Sequence, residues 1–154
     1  MSGSIGRAVL ACLAAVAFVS PTIAAAPSPV DVRVRGLREL GQAYKNVNDE
    51  LKSGAPQMII LQLSARQIRD ASRAQYGWFP AGSGPQPGLK TSAKLEIWTQ
   101  SAQFKQAQDA FAGQAVAFYK AVAAGNVEGI RVQSKQLGGT CAACHRNFRI
   151  DDKR

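Results

Sequence analysis

The run Cys141-Ala142-Ala143-Cys144-His145 holds the only histidine of the sequence and two of its three cysteines. Two thiols followed at once by an imidazole suit covalent attachment of haem: each thiol can add across a vinyl group of the porphyrin, and the next residue offers a nitrogen to the iron. On a helix these residues sit at i, i+3 and i+4, so all three project from one face within about one turn. A zinc site would need four protein ligands, or three and a water, and no second histidine is present to complete one. A thioredoxin-like dithiol follows a strand and opens a helix, and no alternating strand pattern precedes this motif. Haem attachment is the chemistry these residues favour.

The N-terminus bears on that chemistry. Residues 1–25 combine Arg7, the apolar run AVLACLAAVAFV and a stretch of small residues, the pattern of a cleaved secretory leader. A membrane span needs roughly 20 apolar residues, and Ser20-Pro21 interrupts this run first. Cleavage near residue 25 removes Cys12 and leaves Cys141 and Cys144, which are too close in sequence for a disulfide between them to restrain a fold. The expected mature domain is 26–154 and its expected location is the periplasm, across the inner membrane.

Its 46% apolar and 19% charged residues are those of one folded domain with a real core. The 19 basic against 10 acidic residues give a net charge of +9. Losing Arg7 lowers this to +8. Such a charge suits acidic protein partners or anionic membrane surfaces. Export and the lack of aromatics interleaved with the basic residues argue against nucleic acid.

Four helices must position the motif. The first, expected over 31–51, places Arg33, Leu37, Leu40, Gly41, Tyr44, Val47, Asn48 and Leu51 on one stripe. The second, 57–75, carries Met58, Ile59, Leu61, Ile68 and Ala71, with Arg66, Arg69 and Arg73 largely opposite. A Gly/Pro-rich crossover over 76–93 can continue neither neighbour. The third helix is expected to run unbroken from 93 or 96 to 124, and the fourth from 126 or 127 to 150, with Leu137-Gly138-Gly139 as a point of irregularity. Two short connections and one long one favour an all-α, antiparallel four-helix bundle with the motif near its C-terminus.

LGGTCAACHRNFR near the end of the chain, WFPAGSGP followed by AKLEIW, and VRVRGLRELG near the start together resemble the class II c-type cytochromes, the cytochrome c′ and c-556 family, over essentially the whole mature chain. The resemblance implies one covalent haem c, with Cys141 and Cys144 as thioether anchors and His145 as axial iron ligand. It implies a basic residue on the proximal side, here Arg149, four positions beyond His145. Arg33 lies on an apolar stripe where an unpaired charge is costly, so it needs an anion or an escape to water. The resemblance puts a haem-contacting arginine at this place, with a propionate as its partner.

Leu37 matches the position that faces the distal side of the iron, where six-coordinate relatives carry methionine. Leucine has no donor atom, and Met58 reads as core on another helix, so a five-coordinate, high-spin iron is expected. Trp78, Phe79 and Trp98 read as aromatic core, or as cover for the haem edge. Two functions follow: an electron carrier serving redox partner proteins, and a binding module for NO or CO at the distal position. Enzymatic use such as peroxidase chemistry is disfavoured, because no second histidine is available as a distal acid or base. Relatives of this kind are often homodimers through their first two helices, an assembly open to this chain.

Overall fold

Helix α1, Pro29–Lys52, begins two residues before the expected start because Ser28 caps it. The Ser28 hydroxyl accepts the Asp31 N–H at 3.2 Å and the Asp31 carboxylate accepts the Ser28 N–H at 3.2 Å, a capping box reinforced by Pro29 in the first turn. At the other end, the Glu50 carboxylate accepts the Gln57 N–H at 2.7 Å and turns the chain into α2, Met58–Ala74. A single 3₁₀ turn, Gln75–Gly77, leads into an irregular crossover over 78–95. The computed structural model describes residues 25–150; residues 1–24, which carry nearly all of the expected leader and Cys12, and 151–154 lie outside the described residues.

The third expected helix is in fact two, α3 (Glu96–Thr99) and α4 (Ser101–Ala124), separated at Gln100, whose φ of −118° and ψ of 46° are not helical. The reason lies in what α3 is tied to. Trp98 donates its indole N–H to the Pro80 carbonyl at 3.1 Å, and just before α3 the Lys94 N–H donates to the Phe148 carbonyl at 3.0 Å. These bonds fix α3 to the crossover and to the far end of the chain rather than to the axis of α4. Gly125, at φ 73°, then ends α4, and Asn126 caps α5 (Val127–Phe148) by accepting the N–H groups of Glu128 and Gly129.

α5 runs unbroken through Leu137-Gly138-Gly139, so the expected irregularity is absent. Gly138 is there for packing: a Cβ would lie 2.2 Å from the Tyr44 hydroxyl, which donates to the Ser134 carbonyl at 3.0 Å. The helix also stops two residues before the expected end. At Arg149 the backbone is extended and pairs with Ala93 in an isolated antiparallel bridge.

The four long helices form the bundle. α1 packs on α2, α2 on α4 and α4 on α5, whereas α1 and α5 touch little. The main core lies mid-bundle, with Val47, Leu61, Ile68, Phe118 and Ile130 closed from water. A smaller cluster at the motif end gathers Ile97, Phe104 and Phe148 with Phe79, Trp98 and Cys144 around them. Ile59 does not join the apolar face of α2 and is exposed, as is Gly41 on α1. Among the described residues no helix is long and apolar enough to cross a membrane.

The Gly138–Tyr44 contact has a measurable sign. Gly138→Ala, which otherwise favours a helix, is expected to lower stability to urea by about 1–3 kcal/mol through overpacking. Combined with Tyr44→Phe, the same substitution becomes neutral or stabilising by up to about 1 kcal/mol, the ordinary gain of alanine over glycine. Equal losses in both backgrounds would show that the tyrosine hydroxyl is not the cause.

Candidate haem site

Where the first turns of α1 and the last turns of α5 part, a cleft of about 150 Å³ opens, partly to solvent. One wall is α5, with Cys144, His145 and Phe148 followed by Arg149. Arg33, Val34 and Leu37 of α1 and Gln75 at the end of α2 also line it. Phe79 and residues 91–93 of the crossover, Ile97 and Phe104 close the rest. The aromatic packing is edge-on, with Phe104 4.8 Å from Phe79 and 5.1 Å from Phe148 between ring centroids.

The motif occupies α5 as its spacing predicts. Cys141 packs against the main core while Cys144, one turn on, borders the smaller cluster and the cleft; both are half-buried free thiols. Burial pushes the Cys141 thiol up, and burial with a lesser contribution from neighbouring Cys141 pushes that of Cys144 up to about 11. At neutral pH both are therefore uncharged S–H groups, compatible with an apolar wall. His145 is exposed and lines the cleft.

Arg33 is 2% exposed, and its partners differ from the expected anion. Its guanidinium donates to the Ser83 hydroxyl and carbonyl at 3.1 Å each, to the Thr91 hydroxyl at 3.0 Å and, at 3.5 Å, to the Trp78 carbonyl. The guanidinium carbon also lies 5.2 Å from the centroid of Phe79 and 5.8 Å from that of Trp98, within the range of cation–π attraction. Burial depresses its pKa, yet an arginine remains charged, and among the described residues no carboxylate pairs with it. Neutral crossover oxygens thus satisfy its donors, while its positive charge stays uncompensated on the cleft wall. Trp78 seals the outer side of the crossover against Gly36, where a Cβ would fall 2.4 Å from the indole ring.

Leu37 faces the cleft and is 40% exposed. Arg149 lines the same cleft as His145, four residues on: its N–H donates to the His145 carbonyl at 3.0 Å as the last helical bond of α5, while its own backbone is extended and bridges to Ala93. Met58 packs against the main core and Tyr44 on Ser134, so neither lines the cleft. Of the three aromatics considered for the haem edge, only Phe79 reaches the cleft wall.

Sequence reasoning missed Ser83 and Thr91, which carry no pattern within a Gly/Pro-rich segment. It also missed the buried pair Gln75 and Gln108, although Gln108 stands between Phe104 and Phe111 on the inward stripe of α4 and was visible there.

The donor set and the walls fit a haem c. Cys144 and His145 line the cleft, with Cys141 one turn earlier on α5 against the main core, apolar side chains such as Val34, Leu37, Ile97 and Phe104 line it too, and a buried cation is available to an anionic edge. Arg33→Met is expected to leave the crossover acceptors unpaired, lower stability to urea by about 2 kcal/mol and expose residues 80–91 to proteolysis. Cleavage there at the parental rate would mean that other contacts hold the crossover.

The family model described as "Cytochrome C'" matches residues 28–149. The cytochrome c′ of Rhodospirillum rubrum is 29% identical over 145 residues, 93% of this chain and 97% of that protein. That of Alcaligenes xylosoxydans xylosoxydans is 36% identical over 72 residues, 47% of this chain; the match spans about half, 54%, of that relative's length. The structure of cytochrome c′ from Thermochromatium tepidum superposes with a TM-score of 0.74 at 19% identity, covering 82% of this chain and 100% of that one. A nitric oxide complex of a mutant cytochrome c prime from Alcaligenes xylosoxidans gives 0.71 at 24% identity, covering 80% and 94%. These superpositions establish the shared fold. With the family match running from the cap of α1 to the residue after α5, the chain belongs to the cytochrome c′ family, whose covalent haem c finds its CxxCH anchors here in Cys141 and Cys144.

Proposed function

We propose that this protein is a periplasmic monohaem cytochrome that carries single electrons and is not an enzyme. The observation that carries the proposal is the asymmetry of the cleft. Ile97, Phe104 and Phe148 close its floor from water, while His145, Arg149 and Leu37 stand at exposed positions. Haem c supplies reversible one-electron chemistry when bound. The chain's own residues would do the rest: Cys141 and Cys144 would anchor the group, His145 would present its imidazole, and the aromatic floor would exclude water. The uncompensated charge of Arg33 in the cleft supports attraction of a propionate through its field, since its hydrogen-bond donors go to crossover oxygens.

Basic residues surround this end of the bundle. Lys94 donates to the Arg146 carbonyl at 3.0 Å, which brings its ammonium to the end of α5, where Arg146 and Arg149 add two further charges. Such a rim attracts an acidic redox partner. Stopped-flow electron exchange with an acidic carrier protein should therefore slow as salt is raised, and a rate indifferent to ionic strength would remove the steering role.

A second function, binding of NO or CO, is favoured by Leu37. It lines the same cleft as His145, and among the described residues that line it none is a methionine, a lysine or a second histidine. A haem held by His145 would meet at Leu37 an apolar side chain with no donor atom, a setting for small uncharged gases. Optical and EPR spectra are expected to show a high-spin, five-coordinate iron that responds to CO and NO. A low-spin ferrous spectrum unchanged by CO would exclude this. Leu37→Met is expected to convert the iron to low spin, an outcome that requires residue 37 to overlie it.

A further inference from the structure

Gln75 is a buried amide on the wall of an otherwise apolar floor, and its orientation is fixed. Its Nε2 donates to the Ser72 carbonyl at 3.1 Å and to the Gln108 carbonyl at 3.1 Å, which uses both of its hydrogens. Reversing the amide would set Oε1 against two carbonyl oxygens, so the nitrogen must stay where it is. The Gln108 side chain locks the same corner by donating to the Gln75 backbone carbonyl at 3.2 Å. Among the described residues no donor reaches Gln75 Oε1, and the only fully enclosed side-chain polar atom without a partner is Ser134 Oγ. Gln75 Oε1 thus has no protein donor among the described residues, in a residue that lines the cleft. Gln75 closes α2, which packs on both α1 and α4, and it lines the same cleft as Leu37, Cys144 and His145.

We propose that Gln75 Oε1 is a fixed hydrogen-bond acceptor on the Leu37 side of the haem cleft, biasing it toward small neutral ligands that carry N–H or O–H bonds, such as ammonia or hydroxylamine, and against CO. This rests on the assignment of the Leu37 side as the ligand side. An acceptor lone pair stabilises a proton borne by the bound ligand. The same partial negative charge opposes the build-up of negative charge on the oxygen of bound CO and so raises its stretching frequency. Two neighbouring polar groups that line the cleft are engaged: Thr91 Oγ1 accepts from Arg33 and from the Ala93 N–H, and Arg33 donates to crossover oxygens.

The haem-loaded, full-length protein decides the matter through two readouts, the infrared C–O stretch of the ferrous CO form and an ammonia titration of the ferric form followed in the Soret band. Gln75→Leu is expected to lower the C–O stretch and to weaken ammonia binding roughly fivefold, the effect of one hydrogen bond. Gln108→Leu removes a neighbouring bond but keeps the backbone carbonyl that orients Gln75, and should change neither. A stretch that stays put or rises in Gln75→Leu, or ammonia affinity that does not fall, overturns the proposal. If the parent protein forms no CO complex at all, the open-side assignment fails and takes this proposal with it, an outcome distinct from a CO complex that ignores Gln75. Should Gln75→Leu not fold, the parent protein labelled with ¹⁵N-glutamine still decides: slow exchange of both Gln75 Nε2 protons supports the fixed amide, and exchange at the rate of an exposed glutamine overturns it.

Discussion

A guanidinium removed from water must have its donors satisfied, and in this protein that requirement falls on Arg33, buried in the second turn of α1. The oxygens that meet it come from residues 78, 83 and 91, all within one Gly/Pro-rich segment with no helix of its own. The crossover is thereby drawn back onto α1, with Trp78 over Gly36 and Phe79 turned toward the cleft. Thr91 also accepts the Ala93 N–H, and Ala93 in turn pairs with Arg149, so one buried charge organises both the crossover and the end of the helix that carries His145.

The bundle is closed at one end and open at the other for reasons visible in its cross-links. Away from the motif, α1 and α5 are joined by Tyr44 to the Ser134 carbonyl and by Arg131 to the Leu51 carbonyl, the latter also serving the unpaired carbonyls that end α1. Toward the motif, aromatic side chains from the crossover and α4 fill the flank. The result is a wedge whose mouth is lined by α1 and α5, neighbours that touch little. A flat cofactor anchored on α5 enters there without disturbing the main core.

Much of this was legible in the order of residues. Helical periodicity marked the four long helices, and the CxxCH spacing placed the attachment face, because both depend on local geometry that the chain carries everywhere. The same reasoning picked out Arg33 as a charge needing a partner, yet it could not say which partner, since Ser83 and Thr91 lie 50 and 58 positions away. It extended helical geometry through Gln100 and through Arg149, where the backbone instead answers to bonds with Pro80, Phe148 and Ala93 across the crossover. It read Leu137-Gly138-Gly139 as a weakness in α5, when Gly138 is small because Tyr44 arrives from another helix. Each departure arises where a contact distant in sequence outweighs local preference.

The charge on Arg33 also shapes what the cleft can do with an electron. Its hydrogen bonds go to neutral oxygens, which orient the guanidinium without cancelling its field, and the nearby aromatic faces spread that charge only weakly. In a low-dielectric wall such a field extends further than it would in water. Any group beside it that accepts an electron loses a unit of positive charge, and the field favours that reduced state. A carboxylate of the bound cofactor meeting the guanidinium would neutralise the effect, so contact and field are alternatives: the more fully Arg33 serves as a carboxylate partner, the less it biases the electron.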